Sequence, residues 1–115
     1  MKEKSWFNAF PAAITVTDHD GIIIDMNDQS EEIFRQDGGR ALIGKNVIDC
    51  HPQSARPRVQ KIYETHEKNI YTITKNGKKQ LIYQSPYFNN GQFAGVVEMC
   101  LDLPEDLPHF DRDNP

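Results

Sequence analysis

Cysteine is scarce in this chain. Cys50 and Cys100 are the only two, too few for a disulfide framework and in keeping with a reducing cytosol. Long apolar runs are missing too. The longest aliphatic stretch, Gly21 to Ile24, is far short of the ~20 residues a membrane span needs, and MKEKSWFNAF holds no run fit for a signal peptide. Basic residues are not in excess: 13 Lys and Arg stand against 17 Asp and Glu, a net charge of −4. That balance argues against nucleic acid as a partner. Phosphate-binding glycine loops, HExxH and nucleophile elbows are absent, as are repeats and low-complexity linkers. The expectation is a cytoplasmic protein with no membrane span.

What is present suits one globular domain over residues 1–115, with 37% hydrophobic and 26% charged residues and length for a single modest core. In AAITVTDHDGIIIDM, Ile14 and Val16 alternate with Thr15 and Thr17 ahead of a DHDG turn, which predicts a hairpin. Asp28 and Glu31 have capping-box spacing, so a short helix is expected from Asn27 or Asp28, stopped by Gly38 and Gly39. Residues 40–50 read as short turns that send Leu42, Ile43, Val47 and Ile48 inward. Pro57 opens a longer helix whose Val59, Ile62, Tyr63 and His66 share one face, ending before Asn69. Asn76-Gly77 and Asn90-Gly91 are hairpin turns joining strands at Ile70–Thr74, Lys79–Phe88 and Phe93–Leu101. The expected fold class is α+β: a five-stranded antiparallel sheet with short helices and one longer helix packed on one face. Residues 1–11 read as an N-terminal cap segment, 12–103 as the core, and 104–115 as a proline-rich acidic tail unsuited to helix.

Two-residue turns set the register, and the register sets the faces. One face is expected to carry Tyr71, Ile73, Ile82, Gln84, Pro86, Phe88, Phe93, Gly95, Val97, Met99 and Leu101, and to meet the helices. The candidate ligand-binding residues on this face and the long helix are Val59, Ile62, Tyr63, His66, Tyr71, Ile73, Ile82, Gln84, Val97 and Met99, with Gln84 the main polar point. In this register no acid or base points inward, which speaks against catalysis. The opposite face is expected to show Ile70, Leu81, Tyr83, Tyr87 and Val96 beside Lys79, Glu98 and Thr74, an apolar centre with a polar rim. The segment holding Trp6, Phe7 and Phe10 would cover it, as would a second subunit. A homodimer through this face is the expectation.

One stretch invites a metal reading. IDCHPQSARPR, Ile48 to Arg58, puts Cys50, His51 and Pro52 in a row. Adjacent Cys and His lack the spacing of a structural zinc pair. A backbone fixed by Pro52, helix capping by Asp49 or Ser54, and a small buried Cys50 account for it.

AITVTDHDGIIIDMN, with the capped helix and LIGKNV after it, resembles the first half of a PAS domain. KNGKKQLIYQSPYFNNGQFAGVVEMCLDL resembles its last three strands, and the likeness runs over roughly residues 5–103. The resemblance implies a sensory and interaction module with a pocket between sheet and helices, and a structural asparagine, Asn27, at the helix start. His51-Pro52 is similar to the family's lead-in to its long helix. The family's ligand varies among haem, flavin, small organic acids and none, and the cofactor here stays open among these. GKNVIDC resembles the stretch holding the photoactive cysteine of blue-light receptors; Gly44, Lys45 and Asn46 match, but Val47 stands at the cysteine's place and Cys50 comes three residues late. That argues against adduct photochemistry. A haem would draw its imidazole from His66 or His51, although Arg58 and Val59 occupy the position that oxygen-sensing relatives use. A small-molecule enzyme using the same pocket is a further alternative. The function implied is a stand-alone sensory module that binds a small ligand, a partner protein or both, without catalysis of its own. Pro104 and Pro108 stand where relatives run an output helix, so the signal would pass by association.

Overall fold

The computed structural model describes residues 5–114. Residues 1–4 of the expected cap segment and Pro115 of the tail lie outside the described residues. Three helices, α1 (Ser5–Ala9), α2 (Asp28–Ile33) and α3 (Arg56–Thr65), accompany five strands: β1 (Ala13–Thr17), β2 (Ile23–Met26), β3 (Asn69–Lys75), β4 (Lys78–Asn89) and β5 (Gln92–Asp102). The strands form one antiparallel sheet in the order β2-β1-β5-β4-β3. Tight 3-10 turns over Arg35–Asp37, Gly39–Leu42 and Val47–Cys50 fill the connection from α2 to α3.

The turns form for local reasons. Asn76 and Gly77 take φ of 53° and 75°, and Asn90 and Gly91 take 52° and 78°, the paired left-handed conformations a two-residue hairpin needs. At the first hairpin the Asp18 carboxylate accepts from the N–H groups of Asp20 and Ile22, an Asx turn. Asn27, rather than Asp28, caps α2: its side-chain oxygen accepts from Ser30 N at 3.1 Å. Asp28 and Glu31 grip Arg40 instead. The helix ends at Ile33, ahead of the glycines expected to stop it.

Pro57 lies in the first turn of α3 as expected. At the other end, His66 is the cap, left-handed at φ 59°, with its N–H on Ile62 O at 2.8 Å. It therefore leaves the helical face to which its spacing assigned it. Ile23, Met26, Leu42, Val47 and Val59 make the core beneath α3, with Phe34, Ile48, Cys50 and Tyr63 packed against them. Ile43, expected inward, is 39% exposed. It follows the 3-10 turn in extended backbone.

One irregularity reorders the sheet faces. Tyr87 pairs with Gly95 and Phe88 with Phe93, so Ala94 is an extra residue in β5. Such a bulge shifts the side-chain alternation by one. Beyond it Val96, Glu98 and Cys100 oppose Pro86, Gln84 and Ile82, while Val97, Met99 and Leu101 oppose Ser85, Tyr83 and Leu81. β3 and β4 keep the expected faces, with Tyr71 opposite Ile82 and Ile70 opposite Tyr83. β5 is inverted past the bulge. Val97 and Met99 leave the inner face, and Val96 and Glu98 replace them.

Candidate functional site

α3 lies over the inner face and buries Val59 and Ile62 at 7% and 3% exposure. Between them and the sheet is a cavity of about 20 Å³. That is room for about one water; drug-sized ligands occupy clefts of roughly 300–1,000 Å³. Of the ten candidates named from the sequence, Val59, Ile62, Tyr63 and Gln84 border it. Thr15, Thr17, Val47, His51, Val96 and Glu98 complete the wall.

Other candidates stand elsewhere. His66 stacks on Phe93 with ring centroids 4.0 Å apart and 8° between planes, on an exposed corner. Ile82 is buried on the inner face without bordering the space, and Ile73 and Tyr71 lie toward the β3 edge. Val97 and Met99 stand on the opposite face because of the bulge.

Hydrogen bonds organise the polar side of the cavity. Asn69 Nδ2 donates to Gln84 Oε1 at 2.8 Å, and Gln84 Nε2 donates to Glu98. The buried amide thus finds its partners within the protein, and the chain of bonds fixes which way it points. The hydroxyls of Thr17 and Tyr63 share a 2.6 Å bond, and those of Thr15 and Ser30 pair as well. Burial pushes the Tyr63 hydroxyl pKa up, only partly offset by Thr17. It stays protonated. His51 Nδ1 is 2.9 Å from Val47 O, so in the neutral ring Nδ1 carries the proton and Nε2 is an acceptor. Tyr63→Phe should cost about 1 kcal/mol, the worth of a part-buried hydrogen bond, or ~4 °C in a thermal melt. An unchanged melting temperature would mean the hydroxyl pair contributes nothing to stability.

The expectation that no acid faces inward is overturned: Glu98 borders the cavity. A lone glycine inside an apolar strand is the usual sign of a bulge, and Gly95 in FAGVVEMCL was that sign. Val47, and not Cys50, borders the space where the photoreceptor comparison placed a thiol. Burial raises the pKa of both cysteines, which keeps them protonated and poor nucleophiles. A haem does not fit between α3 and the sheet as they stand. Among the described residues no group of three or more His, Cys, Asp or Glu is placed to hold a metal, and no helix is long and apolar enough to cross a membrane.

A sheet whose inner face carries a capped helix, 3-10 turns and a longer helix around a small pocket is the architecture of a sensory domain. Residues 7–106 match the family described as the PAS fold, and the chain belongs to that family. Among solved structures, a C-terminal domain from Streptococcus mutans is 26% identical, with a TM-score of 0.68 over 83% of this chain and 78% of that one. The PAS domain of Bordetella pertussis BvgS is 17% identical, with a TM-score of 0.67 over 90% and 85% of the two chains. A sensory box sensor histidine kinase from Vibrio cholerae is 15% identical, with a TM-score of 0.64 over 91% and 90%. None of the curated proteins compared matches this chain.

Proposed function

We propose that the chain is a sensory PAS module that takes a small ligand into the cavity between α3 and the sheet and signals by association, without catalysis of its own. The observation that supports this is an apolar cavity between α3 and the sheet, the usual setting of a small-molecule site, bordered by Gln84, Glu98, Tyr63 and Thr17. Its size favours a ligand of very few atoms over haem or flavin. Glu98 has no second carboxylate beside it on the cavity wall, and the Thr15, Thr17 and Tyr63 hydroxyls there are hydrogen-bonded within the protein, which favours holding over converting. Native mass spectrometry and an absorption spectrum of freshly purified protein test the reading. A small retained mass and a colourless solution are expected; a Soret or flavin band would replace it with a pigment-binding one.

Association is assigned to the outer face. The bulge makes that face more apolar than the regular alternation predicted, since Met99 and Val97 take the places of Glu98 and Val96. Met99 lies between Tyr83 and Ile14, and Val97 between Ser85 and Val16. Leu81, Leu101 and the half-exposed Ile70 extend the patch. Tyr and Met are enriched at interface centres. Phe7 is buried in α1, which packs against α2, and Trp6 is 65% exposed. We infer a homodimer through Ile70, Leu81, Tyr83, Val97 and Met99, with Tyr87 at the margin, where its hydroxyl donates to Thr17 O. Tyr83→Glu should turn a sedimenting dimer into a folded monomer. A parent chain that sediments as a monomer at high concentration would end this part of the reading. The two unpaired thiols, Cys50 and Cys100, favour a cytoplasmic setting.

A further inference from the structure

Away from the cavity under α3, positive charge gathers in a chain that is acidic as a whole. A cleft of about 280 Å³ opens where the end of α3 meets the start of β3, close to the lower bound of roughly 300 Å³ for small-molecule clefts. Arg58, Lys61, Ile62 and Thr65 line it from the helix, and Glu67, Lys68 and Asn69 from the segment that follows. Three cations and one carboxylate leave a local charge of +2, against a net charge of −4 for the chain. Local structure explains the convergence. Positions 58, 61, 62 and 65 recur at the spacing of one helical face. His66 then takes its left-handed cap, and the Thr65 hydroxyl donates to Lys61 O at 2.8 Å while accepting from Glu67 N at 3.3 Å. That turn brings Lys68 and Asn69 back beside the helix end.

The fold leaves these charges uncancelled. Arg35, Arg40 and His19 make ion pairs; among the described residues Arg58, Lys61 and Lys68 make none, and neither does Glu67. Lys68 Nζ stands 5.8 Å from the centre of the Tyr83 ring, a contact that does not neutralise it. Arg58 and Lys61, three apart on one helix, repel each other. Asn69 gives one amide hydrogen to Gln84 and keeps the other. We propose that this cleft binds a phosphate group. A guanidinium fork takes two oxygens side by side, and ammonium groups meet the rest as point charges. A phosphate monoester carries about −1.5 to −2 at neutral pH, which matches the local excess; a lone carboxylate brings one charge and two oxygens to three cations. The cations are exposed, so affinity should be modest and fall as salt screens it. The site shares only Ile62 with the wall of the cavity under α3, and the inference does not rest on the ligand reading of that cavity.

The test titrates the full chain with inorganic phosphate, methyl phosphate and acetate at constant ionic strength, so that general screening does not change. The side-chain amide of Asn69 and the backbone amides of Lys61 and Lys68 should shift saturably with phosphate in NMR spectra. Arg58→Gln and Lys61→Gln should each bind phosphate at least ~10-fold more weakly, with Arg58→Lys between Arg58→Gln and the parent. Lys75→Gln, at the far end of β3, should bind as the parent does. Tighter binding of methyl phosphate would assign the site to a phosphate ester, and equal or weaker binding to free phosphate; both support the proposal. Equal phosphate binding by the parent, Arg58→Gln and Lys61→Gln would reduce the cleft to a solvated charged face and overturn it. The absence of a saturable shift would do the same. Acetate binding as tightly as phosphate would overturn the ligand class.

Discussion

Gly95→Ala is expected to lower the melting temperature by more than ~10 °C. A Cβ at this position would stand 2.0 Å from Thr17 O and 2.9 Å from the carbon of the same carbonyl. Neither neighbour can give way cheaply. Thr17 O accepts the Tyr87 hydroxyl at 2.9 Å, the Thr17 hydroxyl is tied to Tyr63, and Thr17 itself pairs with Ile23. The strain therefore falls on the β1–β5 pairing at the centre of the sheet. Forced overpacking costs ~1–3 kcal/mol when side chains can shift; a backbone clash with no side chain to move belongs at or above the top of that range. Gly91→Ala is the control. It also sits at positive φ, 78°, but its Cβ would meet nothing within 4 Å, so only the ~1–2 kcal/mol of left-handed strain applies. If the two variants melt together, the close approach at Thr17 carries no weight. The site should suffer with the fold, since Gly95 adjoins the bulge that directs Glu98 to the cavity.

The same glycine marks where the sequence could and could not be read. The two Asn-Gly turns, the DHDG turn and the Pro57 helix start each depend on residues within a few positions. Each emerged as expected, because the conformational preference that selects the residue also selects the turn. Carried along β5, the register from Asn90-Gly91 is right for Phe93 and wrong for every residue past Ala94. The reason is non-local. The close approach of Thr17 O, 78 positions away in the chain, is what Gly95 accommodates; the glycine marks an irregularity in β5 without naming the strand that approaches it. His66 failed differently. Its spacing continues that of Val59, Ile62 and Tyr63, and no glycine announces the left-handed cap at φ 59°. Periodicity counted past the last helical turn assigned it a face it does not have. Gln84 was legible as the buried polar residue, but its partner Glu98 was not, since the bulge alone brings the two onto one face.

Asn27→Ala is expected to destabilise the chain by about 3 kcal/mol. Asn27 is fully buried at 0% exposure, and its amide joins three segments. The oxygen accepts from Ile14 N at 2.9 Å and from Ser30 N at 3.1 Å, while Nδ2 donates to Ala12 O at 2.7 Å. Alanine would leave two N–H groups and a carbonyl without these partners in a place water does not reach, each at a cost of ~1–3 kcal/mol before relaxation. Loss of the helix cap is part of that sum and not an addition to it. Asn27→Ser separates the roles. Its hydroxyl can still cap Ser30 N, as serine does at many helix starts, but it is too short to serve Ile14 and Ala12 as well. Urea unfolding should rank the parent above Ser and Ser above Ala, with the exchange protection of the Ile14 amide reduced in both variants. Should Asn27→Ser match the parent in both stability and exchange, the tie from α2 to β1 is dispensable, and Asn27 serves as a helix cap alone.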